Sequence, residues 1–208
     1  MVGRPKEFDE QVALEQAMEV FWTNGYEATS VQDLLDAMGI NRGSMYDTFG
    51  DKHALFTAAI THYGRTIIQR VEDTLDGPGS PLGNIRKLLN RIADPPANGK
   101  CRGCLATNTV VELAPHDPEV AEAVKALLRR VEKAFHRTLE RAVESGELSP
   151  DANPRALARF LCCTLQGLVV MGKASAGRST IKDIVKVTLS AMARGEYFLM
   201  NYGMNVPE

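Results

Sequence analysis

Seven residues between Thr29 and Lys52 have types and spacing suited to holding a nucleic acid: Thr29, Arg42, Gly43, Ser44, Tyr46, Thr48 and Lys52. Arg42 presents a planar fork of N–H donors that fits O6 and N7 of guanine in a bidentate contact. Ser44 can bond a base edge or a phosphate. Hydroxyls, backbone N–H groups and helix N-termini suit phosphate oxygens, which fix register without reading sequence. Tyr46 has a second use, as a partly buried core aromatic. Gly43 has no side chain, so the backbone there can come close to a partner. Arg4 and Lys6 form a short basic arm, GRPK, that either reaches a groove or is only a tail.

Such groups act together only when short rigid elements hold them. Thr29 reads as an N-cap, with Gln32 three residues on in a capping-box pattern. Val31, Leu34, Leu35 and Met38 then repeat at helical spacing. Gly39 stops that helix, since it takes the left-handed conformation at no steric cost, and Ile40 plugs the turn. Asn41 caps a second helix from Arg42 to Phe49 whose apolar side is only Met45 and Phe49. A helix with few core residues and a small, polar outer face is what a reading helix in a groove requires. Two such helices joined by a tight turn are a helix-turn-helix.

The segment resembles the DNA-binding module of the TetR family of bacterial repressors. Thr29, Val31, Leu34, Gly39, Ile40, Gly43, Ser44, Tyr46, Phe49, Lys52 and Leu55 sit at the family's spacing, and the run from Phe21 to Thr29 looks like the end of its first helix. The close likeness covers roughly residues 8 to 60. Two positions depart from it: the family commonly has aromatic or His residues where Asp47 and Thr48 stand. The resemblance implies an all-α fold with an N-terminal three-helix DNA-binding domain over residues 1–50 and a C-terminal ligand-binding and dimerisation domain over 51–208. It also implies phosphate clamps at Tyr46, Thr48, Thr29 and Lys52, a homodimer, and a small-molecule effector whose binding shifts the helix after Asp51.

The rest of the chain reads as helices, nine in all and no strands. A helix over about 9–24 carries Ala13, Ala17, Val20 and Phe21 inward. Another runs from Asp51 or Gly50 to about Leu75, with Leu55, Phe56, Ala59, Ile60, Tyr63 and Ile67 on one side. Gly77-Pro78-Gly79 breaks it, Ser80-Pro81 starts the next, and residues 94–99 form a loop. Later helices span about Gly103 to Leu113, Asp117 to Ser145, Asn153 to Ala176, and Ser179 or Thr180 to Met200. The last two are apolar over much of their surface. Phe160, Leu161, Leu168, Ile184, Val187 and Met192 are therefore the expected contacts of a four-helix interface between two copies. The expected effector site draws on Leu105, Asn108, Thr109, Leu113, Leu128, Phe135, Thr164, Leu165 and Gln166, where the polar members either meet a ligand or bond backbone carbonyls.

Cys101 and Cys104 form a C-x-x-C flanked by Lys100 and Arg102. Nearby cations favour the thiolate, so a redox or electrophile sensor is one alternative reading. Cys162 and Cys163 are adjacent in a helix and point to different sides, which argues against a four-Cys zinc site. Glu112, His116, Asp117 and Glu119 are explained by helix capping without a metal. There is no G-x-S-x-G, H-E-x-x-H or Walker loop, so no catalytic residue, enzyme activity, metal or cofactor is expected.

Charge cuts against a simple nucleic-acid footprint. Residues 1–55 hold four Lys/Arg and ten Asp/Glu, a formal −6 within the chain's −2, so the acids must lie away from the DNA and non-specific affinity is modest. A helical adaptor that binds only protein is the alternative from another class. With 44% hydrophobic residues the 208-residue chain can bury a core. No apolar run approaches the roughly 20 residues of a membrane span, and the N-terminus lacks an apolar signal region, so a cytoplasmic location with reduced cysteines is expected. The expected function is a DNA-binding transcriptional regulator, a repressor acting as a homodimer on a palindromic operator and released by a small molecule.

Overall fold

The computed structural model describes residues 8–93 and 101–193, and among these every regular element is helical. The chain divides into two compact units, Met1–Glu72 with Lys100–Val131, and Asp73–Gly99 with Glu132–Glu208. The boundary expected after residue 50 falls inside the first unit, because the helix beginning at Lys52 packs on the first helix of the chain.

In the first unit α1 spans Glu10–Asn24 and starts where Asp9 accepts from the N–H groups of Gln11 and Val12. It ends at Gly25, whose φ of 88° suits glycine. Its buried stripe is Ala13, Ala17, Met18 and Phe21. Val20 is only half-buried, and Met18 takes its place because α1 packs against three other helices of this unit at once.

Helix α2 covers Val31–Met38 and α3 covers Arg42–Phe49. The capping box of α2 lies one residue later than expected. Ser30 Oγ accepts from the Asp33 N–H, and the Asp33 carboxylate accepts from the Ser30 N–H at 2.8 Å. Thr29 is instead buried, its hydroxyl donating to the Gly25 carbonyl at 2.6 Å. Both frames satisfy the sequence pattern, and burial of Thr29 selects the second. Gly39 closes α2 in the left-handed conformation with φ 65°, and Asn41 Oδ1 caps α3 by accepting from the Ser44 N–H at 2.8 Å.

Helix α4 covers Lys52–Tyr63, capped by Asp51 through the Ala54 N–H. It runs on through a π-helical turn at Gly64–Ile68 into α5, Gln69–Leu75. The wider turn shifts the helical register and rotates the faces of the residues after it. Ile68 is therefore buried where the α-helical period expects Ile67. A Cβ on Gly64 would stand 2.6 Å from Leu127 Cδ2, so a larger residue there makes the Leu127 side chain shift. Helix α7, Leu105–Glu112, and the start of α8, Pro118–Glu144, complete the unit.

The second unit contains α6 (Pro81–Ala93), the later part of α8, α9 (Pro154–Lys173) and α10 (Arg178–Ala193). Ile85, Leu89, Phe135, Leu139, Leu161 and Leu168 are fully or almost fully buried. Asn153 caps α9 ahead of Pro154, as expected, although α9 ends at Lys173 and α10 begins at Arg178. Counting α4, the π turn and α5 as one rod, the described residues form nine helical rods. The 94–99 loop and the expected end of the last helix near Met200 lie outside the described residues.

Candidate nucleic-acid interface

Helix α3 is anchored by Met45, which is fully buried, and by the half-buried Phe49. That thin anchorage leaves Arg42, Gly43, Tyr46 and Asp47 exposed, with Ser44 and Thr48 half-buried beside them. Tyr46 is 44% exposed, so it is a surface hydroxyl and not a core ring. The helix can enter a groove because so little of it is committed to the core. A Cβ on Gly43 would meet only Asn41 Oδ1, at 3.3 Å, so no core packing demands a glycine there.

Lys52 stands at the start of α4 with its ammonium 4.3 Å from the centroid of the Tyr26 ring, a cation–π contact that limits its swing. Thr29, also expected to clamp phosphate, has its hydroxyl occupied by Gly25, and its neighbour Ser30 is the exposed one. Arg4 and Lys6 lie outside the described residues. Several acids of the module have structural work. Asp9, Asp33 and Asp51 cap helices, and Asp36 accepts from the Gln32 amide. The Ser30 hydroxyl and N–H hold the Asp33 carboxyl below its ordinary value.

A second set of contacts ties residues 102–117 to this module. Arg102 pairs with Glu19 and lies 4.2 Å from the centroid of Trp22, whose indole N–H donates to the Gly103 carbonyl at 3.2 Å. The buried Tyr63 hydroxyl donates to Cys104 Sγ at 3.3 Å. The Glu112 carboxylate accepts from the N–H groups of Tyr26 and Glu27, at 3.1 and 2.9 Å. His53 Nε2 lies 2.6 Å from Asp117 Oδ2. The Asp117 carboxyl is held below its ordinary value by the Val120 N–H and by His53. Sequence alone assigns Glu112 and Asp117 to capping and passes over His53. No local pattern exposes these pairs, since the partners are 64 to 86 residues apart.

The residues expected around an effector divide between the two units. Leu105, Thr109 and Leu113 are buried in the first, with Leu128 half-buried. There Thr109 donates to the Leu105 carbonyl and Asn108 to the Arg102 carbonyl, so both polar groups serve the backbone. Phe135 is fully buried in the second unit, where Thr164, Leu165 and Gln166 are half-buried. Thr164 lines a cleft of about 480 Å³ between α9 and α10 with Phe160, Ile184 and Val187. Another cleft, of about 630 Å³, lies between α6 and α10; Leu82, Val185, Leu189 and Met192 line it with Arg86, Lys182 and Lys186.

Three of the expected interface residues need correcting. Leu161, Leu168 and Met192 are buried inside their own unit, because that side of α9 and α10 packs against neighbouring helices. Phe160 (47% exposed), Val187 (68%) and the half-buried Ile184 remain on the open side. The expectation of no span-length apolar segment also fails. Pro154–Lys173 is long and apolar enough to cross a membrane by length and composition, with 17% of it buried in this chain.

All four cysteines are free thiols, Cys101 and Cys104 both half-buried. The Arg102 charge expected to activate them is engaged by Glu19 and Trp22. Among the described residues no group of His, Cys, Asp and Glu could hold a metal ion.

An exposed, thinly anchored second helix after a glycine turn defines a helix-turn-helix DNA-binding protein. Known proteins place it further. Residues 13–59 match the family described as bacterial regulatory proteins, tetR family, and residues 81–187 match the tetracyclin repressor-like C-terminal domain. The chain is 38% identical over 196 residues to the uncharacterized HTH-type transcriptional regulator YezE of Bacillus subtilis (strain 168), covering 92% of this chain and all of that one. It is 30% identical over 194 residues to the HTH-type transcriptional repressor ComR of Escherichia coli (strain K12), covering 90% of each. Its structure is similar to that of a cysteine-substituted TetR family regulator, CifR, solved with 26-bp double-strand operator DNA: TM-score 0.80, 32% identity, 91% of this chain and 100% of that one. The chain belongs to the TetR family, and it is a DNA-binding transcriptional regulator, not an enzyme.

Proposed function

We propose that the protein is a repressor that acts in the cytoplasm as a homodimer on a two-fold operator and is released by a small molecule bound in its C-terminal part. The apolar face left open on α9 and α10 carries this reading. Phe160, Val170 and Val187 are each about half exposed or more, on helices whose other sides are packed. A second copy of the chain covers such a face, and two-fold pairing presents two α3 helices to half-sites about one DNA turn apart. ComR carries the name of a repressor, and the 26-bp operator bound by CifR is long enough for two half-sites. The effector must prefer the DNA-free conformation, or it releases nothing. The cleft between α6 and α10, with Arg86, Lys182 and Lys186 among its apolar lining residues, suits an organic anion.

The test is light scattering of wild type beside Val187→Arg, with operator binding measured on both. A wild-type dimer, and a monomeric variant with greatly weakened operator binding, support the reading. A wild-type monomer that binds operator fully contradicts it.

Thiol sensing is a second reading, favoured by one observation. Cys104 stands at the start of α7 and its sulfur accepts the Tyr63 hydroxyl, so alkylating it breaks a contact between α7 and α4. If N-ethylmaleimide releases operator from wild type but not from Cys104→Ser, this reading holds; equal release from both sinks it.

A further inference from the structure

We propose that Asp47 reads a base, and that it selects cytosine in each operator half-site. Asp47 is exposed on α3, one helical turn beyond Gly43 and on the same side. Among the described residues its carboxylate has no hydrogen-bond donor and no cation partner, whereas Asp33, Asp36 and Asp51 nearby are all engaged. Lys52, the next cation along the chain, is held over the Tyr26 ring. Asp47 therefore does nothing for the fold that these contacts reveal, and it places a bare negative charge on the surface that meets a polyanion.

Such a charge is tolerable only opposite a donor. In the major groove guanine and thymine present oxygen or nitrogen acceptors, which repel a carboxylate. Adenine offers its N6 amino group beside the N7 acceptor, so a carboxylate gains one contact and suffers one repulsion. Cytosine offers N4–H₂ with no acceptor of its own beside it. Asp47 thus favours cytosine and penalises the other three bases, with selectivity coming as much from repulsion as from attraction. The reach fits as well. Aspartate has one methylene, so the helix must lie deep. Gly43, a residue unfavourable inside a helix and unneeded by the core, removes the side chain that would hold the backbone away.

The experiment is selection of full-length protein on a random double-stranded DNA library, comparing wild type, Asp47→Ala and Asp47→Asn, each checked for an unchanged melting temperature. Wild type is expected to enrich cytosine at one position per half-site, by roughly ten- to a hundredfold over the worst base. Asp47→Ala should flatten that position alone. Asp47→Asn should move it to adenine, because the amide pairs with N6 and N7 together. Identical preferences in all three proteins overturn the inference while leaving DNA binding intact. Failure of wild type to enrich any sequence overturns both.

Discussion

Replacing Glu112 with alanine removes the acceptor of two backbone N–H groups, those of Tyr26 and Glu27, in the turn between α1 and α2. The turn is built to receive this carboxylate. Gly25 has φ 88°, and a Cβ on it would stand 2.8 Å from both Glu112 oxygens. Hydrogen bonds to a charged acceptor each contribute about 1.5–3 kcal/mol when shielded. Here Tyr26 is part-buried and Glu27 exposed, so water takes over much of the lost bonding, and a total of about 1–2 kcal/mol is expected. For a chain of this size that lowers the melting temperature by about 2–8 °C. Glu112→Gln keeps one carbonyl oxygen and should fall between. Thermal unfolding followed by circular dichroism gives the stability, and amide exchange at Tyr26 and Glu27 reports the local bonds. A Glu112→Ala protein that melts with wild type and protects both amides equally would refute the assignment of Glu112 as the tie between α7 and the DNA-binding module.

Two further outcomes concern ionisation. Asp33 and Asp117 titrate below the ordinary value of 3.8 in the folded chain. Their contribution is present above that value and fades as pH falls through the lower folded values, so Ser30→Ala and Asp117→Asn should flatten the acid limb of stability measured by urea midpoints below about pH 4. Burial, with the Glu132 charge adding to it, pushes the Cys162 thiol from 9.0 up to about 12. Its thiolate fraction is then roughly a thousandfold lower than that of an ordinary thiol, and mass-mapped iodoacetamide labelling at neutral pH should modify the exposed Cys163 well before Cys162.

The helix-turn-helix was legible because its signals are local. Gly39 marks a left-handed stop, Asn41 and Asp51 mark caps, and the scarcity of apolar residues in Arg42–Phe49 marks an exposed helix. What failed to show was set by contacts between distant residues. Thr29 and Ser30 are equally good caps in sequence, and only the burial of Thr29 decides between them. The π turn at Gly64 has no periodic signature, so Ile67 and Ile68 could not be told apart. Periodicity shows that α9 and α10 are apolar, not what covers each side; Leu161 and Leu168 face their own core while Phe160 and Val187 do not. The polar residues Asn108 and Thr109 looked like ligand contacts because a side chain that bonds its own backbone has the same sequence as one that does not.

The most direct test of the central claim is a binding titration on the chain's own upstream DNA across salt concentrations, wild type beside Arg42→Ala. With four Lys/Arg among the first 55 residues, the proposed dimer would bring at most eight cations from its DNA-binding modules, so log K against log salt should fall no more steeply than about −7. Arg42→Ala should lose about 1–3 kcal/mol on the specific sequence and much less on random DNA. Specific wild-type binding with that slope and that loss is the predicted result. Equal affinity of wild type and Arg42→Ala for the same specific site would contradict the assignment of α3 as the reading helix.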